Sequence, residues 1–283
     1  MRDYFCGWYF KCQSSDKTVA LIPAYHKNKN AAACSVQIIT NDGAWNAVYP
    51  IESYREDKDR FEIKIGKSRF SESGVYLDIK ESDITASGEL RFDKLTPIKS
   101  DIMGPFRFVP FMQCRHSIRS MRHTVNGELL INGEKYIFDN ASGYIEGDCG
   151  YSFPSVYTWT HCFYEEISLM LSAADIPLCG FHFTGVICAI IYRGKEYRLA
   201  TYNGAKAVKI SDGNIVIKQG DMTFSASLIE KHPHPLKAPE SGAMTRVIRE
   251  SASCRAAYKL EKGSETLFSF ESDKSSFEYE YGV

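Results

Sequence analysis

The sequence predicts an all-β protein. Three observations carry this. Asp-Gly, Asn-Gly and Arg-Gly pairs recur between short runs rich in Val, Ile, Phe and Tyr; aromatic residues make up 13% of the chain; and helical periodicity is weak throughout.

From the N-terminus, Cys6 to Cys12 reads as a strand: Cys6, Trp8, Phe10 and Cys12 fall on one apolar face and Gly7, Tyr9 and Lys11 on the other. Asp42-Gly43, Asn126-Gly127, Asn132-Gly133 and Asp212-Gly213 each supply the positive φ of a two-residue reversal, and Glu134 to Phe138 continues the meander. Tyr157 to Phe163 alternates again, with Tyr157, Trp159, His161 and Phe163 forming an aromatic face with polar tips. Arg193-Gly194-Lys195 separates the run Val186 to Tyr192 from the run Tyr197 to Tyr202. Glu165 to Ala174 and Met244 to Leu260 can be drawn as helices, but Ser and β-branched residues dilute both, and Pro177 closes the first. Three prolines between Pro233 and Pro239 make an extended connection that is neither helix nor central strand.

A chain of 283 residues, 44% hydrophobic, buries one large core or two modest ones. Lys and Arg number 34 and Asp and Glu 35, interspersed, so there is no electrostatic footprint for nucleic acid. No apolar run approaches the roughly 20 residues of a membrane-spanning helix. Nine cysteines without a CxxC spacing, and a start lacking the pattern of a signal peptide, point to the cytoplasm and to thiols buried as small core residues.

Several motifs fail. Gly66-Lys67-Ser68 lacks the glycine a phosphate loop needs five positions earlier, where Phe61 stands. His161 and Cys162 are adjacent and point to opposite faces of a strand, so they do not form a nucleophile pair. Cys149, His161, Cys179 and His182 lack the close ligand pair that anchors a zinc site, and no metal or other cofactor is implied. The stretch from Gly143 to Pro154 is different. It gathers glycines, Glu146, Asp148, Ser152 and Pro154 beside an aromatic strand. A carboxylate desolvated by such neighbours would have its pKa raised and serve as a proton donor, whereas a bulge capped by Asp148 is the structural alternative.

Six segments in this order resemble the tocopherol cyclase-like family: Gly7 to Lys11 with Leu21-Ile22-Pro23; Cys114 to Met121; Gly143 to Glu146 through Ser152-Phe153-Pro154; Ala174 to Pro177; Leu199 to Tyr202; and Met244 to Arg246 with Ile248 to Ser251. The resemblance spans nearly the whole chain. It implies two lipocalin-like antiparallel β-barrel or sandwich halves with few short helices, taken here as 1–140 and 141–283, the second carrying the acidic motif. It also implies closure of a ring on a prenyl double bond by protonation, without cofactor or redox change. Asp148, Glu146 and His116 stand at matching positions for the acid, with Trp8, Tyr151, Tyr157, Trp159 and His161 as pocket wall. Gly147 and Cys149 replace the lysine and tryptophan usual on either side of the aspartate, and Thr160-His161-Cys162 replaces the usual glutamine and asparagine, which turns the substrate away from tocopherol precursors.

Two functions follow: a cofactor-independent cyclase or isomerase acting on an apolar prenylated or polycyclic molecule, or a non-catalytic lipocalin-like binder of a hydrophobic compound. A barrel filled by its own side chains is a third reading. The sequence leaves the oligomeric state open.

Overall fold

The computed structural model describes residues 3–57, 59–110, 112–178 and 180–281. It is all-β: among the described residues the helical elements are three short 3₁₀ turns at Ile51–Ser53, Gly104–Phe108 and Thr201–Asn203. No helix is long and apolar enough to cross a membrane.

Two antiparallel sheets account for the strands. The first comprises β1 (Tyr4–Gln13), β2 (Thr18–Lys27), β3 (Ala32–Thr40), β4 (Ala44–Pro50), β5 (Tyr54–Asp57), β6 (Glu62–Ile65), β7 (Ser68–Ser71), β8 (Gly74–Lys80), β9 (Thr85–Phe92), β10 (Cys114–Ile131) and β11 (Glu134–Gly150), in the order β4-β3-β2-β1-β11-β10-β9-β8-β7-β6-β5. It curls until Tyr54 on one edge strand meets Tyr25 on β2, ring centroids 4.7 Å apart. Phe10, Leu21, Ile38, Phe70, Leu77 and Ile145 fill the inside.

The second comprises β12 (Tyr157–Tyr164), β13 (Ile167–Leu178), β14 (Phe181–Tyr192), β15 (Lys195–Ala200), β16 (Lys206–Ser211), β17 (Asn214–Gln219), β18 (Met222–Glu230), β20 (Ala243–Lys262) and β21 (Glu265–Tyr279), with β19 (His234–Glu240) paired to β20 off the main path. Its core includes Leu171, Ile190, Ile217, Phe224, Tyr258 and Phe277. This architecture is the lipocalin-like all-β class.

The chain divides into two compact units: Met1–Pro97 with Cys114–Phe153 and Leu236–Val247, and Ile98–Gln113 with Pro154–Pro235 and Ile248–Val283. The break drawn at Asn140 therefore falls inside β11, and the acidic motif to Phe153 lies in the first unit. The polar stretch there is a β-bulge. Between the pairs Gly127↔Phe138 and Val125↔Ala141, β11 advances three residues while β10 advances two. Asn140 adopts φ 51° and its N–H donates to Asn126 Oδ1 at 2.8 Å.

Asn126-Gly127 is consequently no hairpin. Gly127 (φ 134°) lies where a Cβ would come within 2.2 Å of the Glu89 carbonyl oxygen, so its glycine permits close approach of β9 to β10 rather than a reversal. The other three predicted Gly turns are hairpin turns, as is Arg193-Gly194: Asn132, Arg193 and Asp212 have φ near 50° with a positive-φ glycine next, whereas the β3–β4 turn spans three residues, 41–43, with neither Asp42 nor Gly43 at the expected positive φ. The two segments that could be drawn as helices are β13 and part of β20. Pro177 sits within β13, paired with His182, and the reversal before β13 is made by Glu165 at φ 46°. The proline-rich connection is the side strand β19.

Six described cysteines, Cys12, Cys34, Cys114, Cys162, Cys188 and Cys254, are thiols outside any disulfide. Cys6 and Cys149 depart from the expectation of free thiols: they form a disulfide between directly opposed positions of β1 and β11, Cα atoms 4.1 Å apart.

Candidate active site

Strand alternation builds the site. The core side of β11 near its end carries Ile145 and Gly147, so Tyr144, Glu146 and Asp148 project from the opposite face. The register sets Gly7 against Asp148, Tyr9 against Glu146 and Lys11 against Tyr144 on β1, and His116 against Asp148 on β10. Both faces of the strand ends are therefore occupied. On this second face Tyr9, Lys11, Tyr144, Glu146 and His116 are all buried, while Asp148 keeps 25% of its side-chain exposure.

His116 joins the two carboxylates. Its Nδ1 lies 3.0 Å from Asp148 Oδ1 and its Nε2 3.0 Å from Glu146 Oε2. Asp148 Oδ1 also accepts from the Cys114 thiol at 3.2 Å, and Glu146 Oε2 accepts from the Tyr144 hydroxyl at 2.5 Å, whereas the His116 Nε2–Glu146 approach is a close ion-pair contact without hydrogen-bond geometry. Burial opposes a charge on His116, but Asp148 and then Glu146 outweigh it and raise its pKa to about 10. The raised value favours the protonated imidazole in its place between the two side chains. Burial and the same carboxylates push the Tyr144 hydroxyl and the Cys114 thiol well above their ordinary values, so both remain protonated donors.

The glycine spacing of the motif has a packing cause on the core side. A Cβ on Gly147 would stand 2.5 Å from Trp8 Cε3, and one on Gly143 would stand 2.2 Å from His123 Nε2. These two glycines admit rings from the neighbouring strands. Trp8 thus sits on the opposite face from Asp148 and does not wall the same space; its ring meets Phe61 edge-on at 4.4 Å, and its Nε1 is buried without a hydrogen-bond partner. His123 is buried with Nδ1 3.0 Å from Ser120 Oγ, and desolvation lowers its pKa to about 4.

Tyr151 follows the end of β11 and is 40% exposed, so it lines no buried wall. Tyr157, Trp159 and His161 lie on β12 in the second unit, on the side away from the core residue Cys162, and all three are buried. The Tyr157 hydroxyl donates to Glu278, and the rings of Trp159 and His161 stack 6.5 Å apart. Of the gathered zinc candidates, Cys149 is in the disulfide, His182 bonds Asp175 at 2.7 Å, and Cys179 lies outside the described residues. No cluster of three or more His, Cys, Asp or Glu among the described residues is arranged to hold a metal ion.

Sequence reasoning missed Tyr144, Cys114 and the fully buried Lys11. Tyr144 was within reach, being two residues before Glu146 on a strand and so on its face. Cys114 and Lys11 required the register.

Neither a protein-family model nor a curated protein matches the sequence. Solved structures share the fold. The kievitone hydratase of Nectria haematococca superposes with TM-score 0.57 at 11% identity, covering 98% of this chain and 89% of that one. CghA bound to Sch210972 superposes with TM-score 0.62 at 10% identity, covering 98% and 88%, and CghA alone gives 0.60 at the same identity and coverage.

Proposed function

We propose that this protein is a cofactor-independent cyclase or isomerase that protonates a double bond of an apolar, prenylated or polycyclic small molecule. Asp148, His116 and Glu146 are its proton-handling group. The observation that carries the reading is the His116 bridge between a buried carboxylate and a partly exposed one. Asp148 is the end that meets substrate. A proton moves from His116 Nδ1 to Asp148 Oδ1 along their 3.0 Å hydrogen bond, and from there to the double bond. The carbocation then forms beside Asp148, an internal nucleophile captures it and returns a proton to Asp148, and that proton passes back to His116 Nδ1 to restore the starting state. Glu146, bonded by the Tyr144 hydroxyl, holds the imidazole in place. That one protein of this fold is by name a hydratase, and another holds the small molecule Sch210972, supports small-molecule chemistry here.

Asp148→Asn is the test. Turnover of a candidate prenylated substrate should be lost while its affinity stays within roughly tenfold, because the acid acts on the barrier. Wild-type turnover in the variant would remove Asp148 from the reaction. One observation favours the second reading, a hydrophobic-ligand binder: Asp148 and Glu146 are both already hydrogen-bonded within the protein, as in a purely structural polar cluster. On that reading Asp148→Asn changes neither affinity nor any turnover, since there is none.

A further inference from the structure

We propose that the Cys6–Cys149 disulfide is a reversible thiol–disulfide exchange site that sets the geometry of the Asp148–His116 pair. The inference deepens the proposed function, because it regulates that same site.

The last residues of β11 read Gly147-Asp148-Cys149-Gly150. Flanking glycines leave Asp148 and Cys149 as the two side chains that fasten this strand end. Asp148 holds one face through His116 and Cys114; Cys149 holds the other through Cys6. The rung Cys6↔Cys149 is adjacent to the rung Gly7↔Asp148. Gly7 offers no side chain to hold Asp148 from β1, so the covalent tie one rung away reinforces, beside the carboxylate, the backbone pairing that continues to Phe5↔Gly150. Breaking it loosens the strand end at the residue that carries the acid.

The other described thiols are less accessible, Cys162 and Cys254 lying in the core of the second unit. Cys12 and Cys188 are fully buried, burial pushes both thiols far up, and Cys34 rises to about 11. Cys114 is held as a protonated donor by Asp148. Cys149 is half-buried while Cys6 is buried, so Cys149 is the member of the pair a small thiolate would meet first. The exchange balances with glutathione as partner. A glutathione thiolate attacks Cys149 Sγ and expels the Cys6 thiolate, which takes up a proton. A second glutathione thiolate resolves the mixed disulfide, giving two protein thiols and one glutathione disulfide; two electrons pass to the protein. Oxidation runs the same steps backward.

The experiment equilibrates the full chain with excess reduced glutathione or with glutathione disulfide. It counts the Cys6 and Cys149 thiols by alkylation and mass spectrometry, and follows the His116 imidazole by NMR titration. The expected result is full interconversion, with the His116 midpoint at least about one pH unit lower in the reduced protein because Asp148 no longer holds its distance. Cys149→Ser and Cys6→Ser, measured separately so that one failure to fold leaves the other, should each reproduce the reduced value and be indifferent to glutathione. A disulfide that persists in excess reduced glutathione overturns the proposal. So does a His116 midpoint identical in both states. These readouts need no substrate: if Asp148→Asn keeps full turnover while the midpoint still responds to glutathione, the proposed reaction fails and the exchange site stands; the converse result separates them the other way.

Discussion

Replacing His116 with Gln removes the cation between Asp148 and Glu146 and leaves two buried-side carboxylates facing each other through a neutral amide. The rise of His116 from 6.5 to about 10 corresponds to on the order of 5 kcal/mol of preference for the folded, protonated state. The folded pKa is raised, so this contribution is complete below about pH 6.5, declines above it, and is gone once pH passes 10. At pH 7 about 4 kcal/mol should remain; at pH 9, between 1 and 2. Wild-type protein should therefore lose roughly 2–3 kcal/mol more than His116→Gln between those two pH values. Urea unfolding at pH 7 and pH 9, followed by the fluorescence of Trp8 and Trp45 in the first unit, measures the difference. Histidine-selective NMR adds a direct check, with the resonance lost in His116→Gln titrating near pH 10 in the wild type. Parallel pH dependences in the two proteins, or a His116 midpoint below about 7, would refute the bridged-imidazolium description.

His123 carries the opposite sign. Its pKa is lowered to about 4, so stability is complete above about pH 6.5 and falls as pH drops toward 4, by on the order of 3 kcal/mol. His123→Phe should flatten that acid limb in urea titrations at pH 5 and 7, and an unchanged limb would place the acid sensitivity elsewhere. Gly147→Ala should cost roughly 1–3 kcal/mol and shift Trp8 emission, since the new methyl would stand 2.5 Å from the ring; an unaltered spectrum and midpoint would mean the ring yields freely. Asp148→Asn should separate turnover from affinity as described above.

Much of the architecture was legible because positive φ is written into residue identity. Asn132-Gly133, Arg193-Gly194 and Asp212-Gly213 turn where their glycines permit it. Glu165-Glu166 escaped, since nothing in two glutamates announces a reversal. Asn126-Gly127 misled because the same dipeptide serves a close strand approach as readily as a turn. At the site, alternation alone put Glu146 and Asp148 on one face, and their neighbourhood with His116 required the register of β10 against β11. That register contains shifts at Ile118/Ser120, Ser120/His123 and Val125/Gly127, each a one-residue slip that spacing in the chain does not reveal. The burial of Lys11 was hidden for a related reason: an apolar face at Trp8, Phe10 and Cys12 suggests that the other side of β1 meets water, yet both sides are covered.

The bulge at Asn140 decides on which side of the sheet the acids reside. Toward the Asn132-Gly133 turn, Tyr136 and Phe138 make the even-numbered residues of β11 inward-facing; beyond the bulge, Ala141 and Ile145 make the odd-numbered ones so. One unmatched residue reverses the parity of everything downstream. Deleting Asn140 would swing Glu146 and Asp148 toward the hydrocarbon core and turn Ile145 to the polar face, so a single codon decides which face of the sheet carries the acids.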